Sequence, residues 1–154
     1  MEVQGVFLTK DGRQHALAQL EFLRTVKRAE VAQYLYEAKE SGDVIDNAAY
    51  EDAKNEQARL EGRIWELEHM LASAKPIRKR STREISLGSV AQLRAADDRE
   101  YCYTLVGAYE AKPSAGLISN ESPVGKALLG HKVGDSVMVS TPGGVKEYTI
   151  LGIE

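Results

Sequence analysis

The sequence predicts an antiparallel helical hairpin followed by a small α+β domain, and three observations lead there. Tyr50, Ala53, Gln57, Leu60, Ile64, Leu67, Leu71 and Ala74 recur at alternating steps of three and four, the period of a coiled-coil seam. An earlier stretch carries its own apolar stripe, and the few residues between the two permit only antiparallel neighbours. Beyond Pro76 the pattern changes to short strand-favouring runs separated by glycine and proline turns.

In chain order, a short apolar piece, Val6 to Leu8, precedes Thr9, whose hydroxyl can cap a helix. Ala16, Leu20 and Leu23 follow, then, more loosely, Val31, Leu35 and Ala38. Lys27 falls where the stripe needs an apolar residue, although Val26 beside it is free to rotate in, and a kink or weakened pairing is expected near Arg28. At ~1.5 Å per residue, about thirty residues in each arm make a rod of roughly 45 Å. Because each arm has a stripe, the seam is read as joining the arms of one chain, and a monomer is expected, rather than a dimer sharing the second arm's seam.

Pro76 ends the second helix, and Lys75, Arg78, Lys79, Arg80 and Arg83 crowd the boundary. The division drawn is a hairpin over 1–75, a basic linker over 76–84 and a second domain over 85–154. The linker reads as solvated ahead of the alternative, a phosphate contact, and no aromatic is interleaved to stack on bases. In the second domain, Ile85 to Leu93 and Tyr101 to Val106 are expected strands, and Asp135 to Ser140 with Val145 to Leu151 a β-hairpin about Thr141, Pro142, Gly143 and Gly144. Ser122 as N-cap, Pro123 at the first helical position, Leu128 and Leu129 for burial and Gly130 as the stop specify a short helix across an antiparallel sheet.

Composition removes several functions. A formal charge of −3 over 154 residues is not that of a chain built to coat nucleic acid. No apolar run approaches the roughly 18 residues of a membrane span, and the N-terminus has no secretory pattern, so a cytoplasmic location is expected. The single Cys102 has no partner for a disulfide and is expected as a small buried hydrophobe. His15, His69 and His131 are scattered and read as structural or solvated rather than zinc ligands. Gly143 and Gly144 lack the spacing of a phosphate loop, and no motif joins serine, histidine and acid. The chain is therefore not expected to be an enzyme in its own right.

What remains is the turn SGDVIDNAAY, from Ser41 to Tyr50. Asp43 and Asp46 form either a solvated turn, with Asp46 capping the second helix, or a pair of ligands at the end of the rod. Val44 and Ile45, apolar between the acids, suggest contact with a partner surface. Mg²⁺ is often held by only one or two protein carboxylates, with water and phosphate oxygens completing an octahedron. Two aspartates are too few for a tight site alone, yet they suffice to complete one in another enzyme.

LTKDG at Leu8 to Gly12, GDVIDNAAY at Gly42 to Tyr50, EGRIWELE at Glu61 to Glu68, ISNESPVGKALLG at Ile118 to Gly130, KVGD at Lys132 to Asp135 and TPGGVKEYTI at Thr141 to Ile150 resemble the bacterial Gre transcript cleavage factors, the GreA branch more than GreB. The resemblance covers nearly the whole chain in order. It implies an FKBP-like second domain, bacterial RNA polymerase as partner, a coiled coil entering the polymerase's secondary channel, and cleavage of the RNA 3′ end in backtracked complexes by the polymerase itself. It further implies that Asp43 and Asp46 hold a second Mg²⁺ shared with the polymerase, that Asn47 and Tyr50 are tip residues, and that Glu121, Ser122 and Pro123 form a docking loop. No isomerase activity follows from the fold. Two departures stand out: the second acid, usually glutamate, is the shorter Asp46, and Ile45 stands where a basic residue is common. Relatives that occupy the channel and inhibit transcription without stimulating cleavage therefore supply an alternative. A coiled-coil adaptor unrelated to polymerase is a third.

Overall fold

The structure, a computed structural model, describes residues 5–41, 47–78 and 82–154. Two compact units emerge: Arg13–Ser73, and Met1–Gly12 together with Ala74–Glu154.

The first unit is the hairpin. Helix α1 (Lys10–Phe22) runs through a π-helical segment, Leu23–Lys27, into α2 (Arg28–Glu40), and α3 (Ala48–Ser73) is the second arm. Ala16, Leu20, Val31 and Ala38 are buried on the first arm and Ala53, Leu60, Ile64, Leu67 and Leu71 on the second, the stripes that the periodicity names. Polar bonds between the arms flank them. The Arg28 guanidinium meets Glu61 in two parallel bonds, both 2.8 Å; Arg24 pairs with Glu68, and the Tyr34 hydroxyl donates to Asp52 at 3.0 Å.

Three details differ from expectation. Gln57, placed in the seam by spacing, is exposed. Val26 has not rotated in: it is 44% exposed, and Lys27 is the half-buried residue. The irregularity lies just before Arg28, as a π-helical segment rather than a weakened pairing, since Arg28 holds Glu61. The reason is arithmetic: from Leu23 the stripe advances by successive fours through Lys27, Val31 and Leu35, which outruns the α-helical period. The wider π turn takes up the surplus residue and returns Val31 to the buried face.

The second unit is a curled five-stranded sheet, in the order β5-β4-β3-β7-β6. Its strands are β3 (Val90–Ala95), β4 (Glu100–Val106), β5 (Leu117–Ser119), β6 (Ser136–Thr141) and β7 (Gly144–Ile153). All pairs are antiparallel except β4 with β5, which is parallel and corrects the purely antiparallel expectation. Helix α4 (Pro123–Leu128) packs Leu128 onto a core of Leu93, Leu105, Val139 and Ile150. The strand expected over Ile85 to Leu93 begins only at Val90; Ile85 is buried, but its backbone bonds the loop at Gly130 and His131. Cys102 is exposed, not buried. Alternation along β4 puts Tyr101 and Tyr103 against the core, so the residue between them must face outward.

The first residues of the chain also belong here. Strand β1 (Phe7–Leu8) pairs in parallel with β2 (Lys75–Pro76), Lys75 N–H donating to Val6 O and Ile77 N–H to Leu8 O, each at 2.9 Å. Pro76 lacks an N–H but occupies a strand position that needs none. Phe7 O lies so close to Gly107 that a Cβ there would stand 2.1 Å away, which only glycine permits. Thr9 caps α1 as its sequence suggests, its hydroxyl accepting from Gly12 N–H at 3.0 Å.

Candidate functional site: the base of the hairpin loop and the β5–α4 corner

The far end of the hairpin is built from the termini of α2 and α3. At the end of α2, Ser41 N–H donates to Glu37 O at 3.0 Å and the Ser41 hydroxyl to Ala38 O at 3.4 Å. On the other side Asn47 opens α3. Its side-chain oxygen accepts from Tyr50 N–H at 3.1 Å, and its carbonyl accepts from Glu51 N–H at 3.1 Å. That is N-cap geometry, so the capping role considered for Asp46 is taken by Asn47. The Asn47 amide also donates to Ala38 O at 2.5 Å, tying the two arms together. Ser41 and Asn47 thus converge on one carbonyl.

Between them lie Gly42 to Asp46, all outside the described residues, and with them the predicted site residues Asp43, Val44, Ile45 and Asp46. Of the other predicted tip residues, Tyr50 is half-buried in the first turn of α3. Among the described residues no group of three acids, histidines or cysteines could hold a metal ion. The carboxylate shifts lie elsewhere: Glu61 is held below the usual range by its hydrogen bonds from Arg28, and Asp135 by the Lys132 backbone N–H, with His131 adding to it. The Tyr34 phenol is raised because it donates to Asp52.

The second candidate region is the β5–α4 corner. The Ser122 hydroxyl donates to Ser119 O at 2.7 Å and accepts from Gly125 N–H at 3.1 Å, while Glu121 N–H donates to the Ser119 hydroxyl at 3.0 Å. Gly125 lets α4 approach: a Cβ there would lie 2.0 Å from Ser119 O. The corner is therefore set by its own bonds. Ser122 is spent on them, and Glu121 and Pro123 are the exposed groups.

Sequence reading missed Glu110. Its carboxylate accepts from Thr9 N–H at 2.8 Å and from the Thr9 hydroxyl, and it lies against Gly12, where a Cβ would come within 2.1 Å of it. Thr9 and Gly12 carry the local signal of a helix start, but an acid 101 positions away leaves no pattern a periodicity search can find.

Among the described residues no helix is long and apolar enough to cross a membrane. Residues 6–75 match the family described as transcription elongation factor, N-terminal, and residues 80–154 the family described as transcription elongation factor, GreA/GreB, C-term. Among curated relatives, the chain is 47% identical to the transcription elongation factor GreA of Chloroflexus aggregans over 156 residues, covering 99% of each chain. It is 50% identical to GreA of Acetivibrio thermocellus, over 96% of this chain and 95% of the relative. Among solved structures, it is 38% identical to the GreA factor homolog 1 of Thermus thermophilus, covering 98% and 99% of the two chains with a TM-score of 0.44. A GreA/GreB factor from Nitrosomonas europaea is 22% identical, with coverage of 96% and 98% and a TM-score of 0.43. Matched by family in both halves and by close relatives over nearly its full length, the chain belongs to the GreA/GreB family of transcription elongation factors.

Proposed function

We propose that this chain acts in the cytoplasm, as a monomer, by inserting its hairpin into the secondary channel of bacterial RNA polymerase, where Asp43 and Asp46 stimulate cleavage of the RNA 3′ end in backtracked complexes. The observation that carries the reading is the closed base of the loop. Two arms locked by a seam and by the Arg28–Glu61 and Arg24–Glu68 pairs end where Ser41 and Asn47 share the Ala38 carbonyl, with both aspartates in the five residues between. An α3 of 26 residues supplies roughly 39 Å of reach.

The donor chemistry suits Mg²⁺ held jointly. Two carboxylates are a normal protein contribution for an ion that keeps water and phosphate oxygens as its other ligands, so Asp43 and Asp46 would hold it with the polymerase and not tightly alone. When bound, such an ion polarises a phosphodiester and makes its water more acidic. This chain contributes ligands and position; the catalytic centre is the polymerase's, which makes the protein an accessory factor. At the channel rim, Glu121 and Pro123 offer exposed contacts on a corner that Ser122 fixes, in a sheet unit of FKBP-like kind; Val44, Ile45 and Tyr50 add contact at the tip.

The test is a transcript-cleavage assay on a backtracked elongation complex. Asp43→Asn should abolish release of short 3′ fragments while competition for the polymerase stays near the wild-type level; loss of binding together with cleavage would count against the reading. The shorter Asp46 and the apolar Ile45 favour a second reading, a channel-occupying inhibitor. That protein would slow nucleotide addition in active complexes and release no fragments.

A further inference from the structure

We infer that the outer face of α3 pairs with the same face of a second copy of this chain, Trp65 of each seated in the hollow over Ala58 and Gly62 of the other; this goes beyond the functional reading above and does not depend on it. Trp65 is the chain's single tryptophan and stands 58% exposed, while Ile64 and Leu67 beside it turn into the seam. It is already held in place. Its ring lies 3.9 Å from that of His69 one turn on, and His69 Nδ1 donates to the Trp65 carbonyl at 2.9 Å. A large aromatic fixed before it meets a partner loses little freedom on binding, which suits it to anchor an interface. Gly62 and Ala58 lie three and seven residues before it, both exposed on the same side of the helix. Gly62 has no positive φ, and a Cβ there would meet nothing within 4 Å. Glycine inside a helix costs stability relative to alanine, and neither backbone conformation nor crowding within the chain offsets that cost. Its missing side chain leaves the hollow.

A knob and a hollow on one face are self-complementary under a two-fold axis, in which each copy gives and receives the same contact. With α3 antiparallel to its copy and crossing beside Gly62, each Trp65 reaches the other's Ala58 and Gly62, and Arg59 of one copy faces Glu66 of the other at both ends of the contact. A parallel crossing would set Trp65 on Trp65 and Arg59 on Arg59. Charge therefore selects the antiparallel form. In the single chain Arg59 and Glu66 make exposed pairs with Glu56 and Arg63, at 3.1 and 3.2 Å, which hold them weakly enough to exchange partners. One helix crossing buries less than the roughly 1,200 Å² of a stable interface, so the pairing is reversible and concentration-dependent. The single chain remains the form proposed to act, and pairing keeps a reserve of it.

Sedimentation velocity of the full chain over a concentration series reads the mass, and Trp65 fluorescence reads its burial. The weight-average mass of wild type should climb from that of one chain toward that of two as the tryptophan emission moves to the blue. Trp65→Ala should stay single. Gly62→Leu fills the hollow and is the better helix former, so it should raise Tm yet abolish pairing, which separates loss of the contact from loss of the fold. Arg59→Glu should weaken association several-fold, and Arg59→Glu combined with Glu66→Arg should restore it. A single mass for wild type at every concentration overturns the inference, as does pairing that survives in Gly62→Leu or a charge swap that rescues nothing. If wild type sediments as one chain while Trp65→Ala reduces competition for the polymerase, the face belongs to the polymerase: this inference falls and the functional reading stands.

Discussion

Glu110 shows how one side chain can start a helix from another part of the chain. Its carboxylate takes the Thr9 N–H and hydroxyl, and Thr9 in turn caps Gly12, so the first turn of α1 is tethered through a relay of bonds. Hydrogen bonds to a charged group contribute roughly 1.5–3 kcal/mol each when partly shielded. Glu110→Ala should therefore lower stability by about 2 kcal/mol, measured as a drop in the urea midpoint at unchanged m-value, and Glu110→Gln by less. At the same scale, helix caps were legible in the sequence, while Asp43 and Asp46 lie outside the described residues. Thr9, Ser122 and Pro123 sit in local frames that specify a cap by spacing, and the structure uses them so. The cap of α3 was open in the sequence because Asp46 and Asn47 are both good caps, and the bonds from Tyr50 and Glu51 give it to Asn47. Cys102 was misread because its burial depends on which face its tyrosine neighbours take.

At the scale of elements, the arms are held by an apolar seam with charged and polar bonds alongside, and the Arg28–Glu61 pair carries a pH signature. Hydrogen bonding to Arg28 lowers the Glu61 pKa in the folded state, so its contribution is fully present above the ordinary glutamate value and is lost as pH falls through the lower folded value. Arg28, raised by the same contact, stays charged throughout. Helical circular dichroism followed in urea from pH 7 down to about pH 3 should show the hairpin losing stability on the acid side. Glu61→Gln should flatten part of that slope, and added salt should shrink the difference, since the pair is exposed. The two arms were readable because a seam is a repeated signal, in which one poor position such as Gln57 does little harm. The π segment was visible only as a defect at Lys27: sequence shows that the step is wrong, while whether a kink, a rotation or a wider turn absorbs it depends on packing. Strands β1 and β2 were not readable at all, being two residues each and stabilised by distant partners.

At the scale of the molecule, the division drawn from composition and the division by compactness differ. A basic, proline-marked stretch looks like a linker, yet Lys75 and Pro76 form a strand with Phe7 and Leu8, and the chain's start falls in the sheet unit. A fragment of residues 74–154 would leave Glu110 without Thr9 and expose the backbone approach at Gly107. Such a fragment should melt at lower temperature than one in which residues 1–12 are joined to it through a flexible glycine–serine linker; equal melting would show that the first strand adds nothing. Residues 1–12 and 74–154 flank the hairpin in sequence.

The parallel pairing of Phe7 with Lys75 has a consequence for how the chain is made. The first strand to leave the ribosome has no partner until the whole hairpin has been synthesised, and Glu110 arrives later still. An unfolded insert of that length makes ring closure entropically dear, whereas a folded hairpin shortens the effective span. Biogenesis is thus ordered: the stalk is its own scaffold for finishing the globular part, and damage to the seam would delay maturation of a sheet that contains none of the damaged residues.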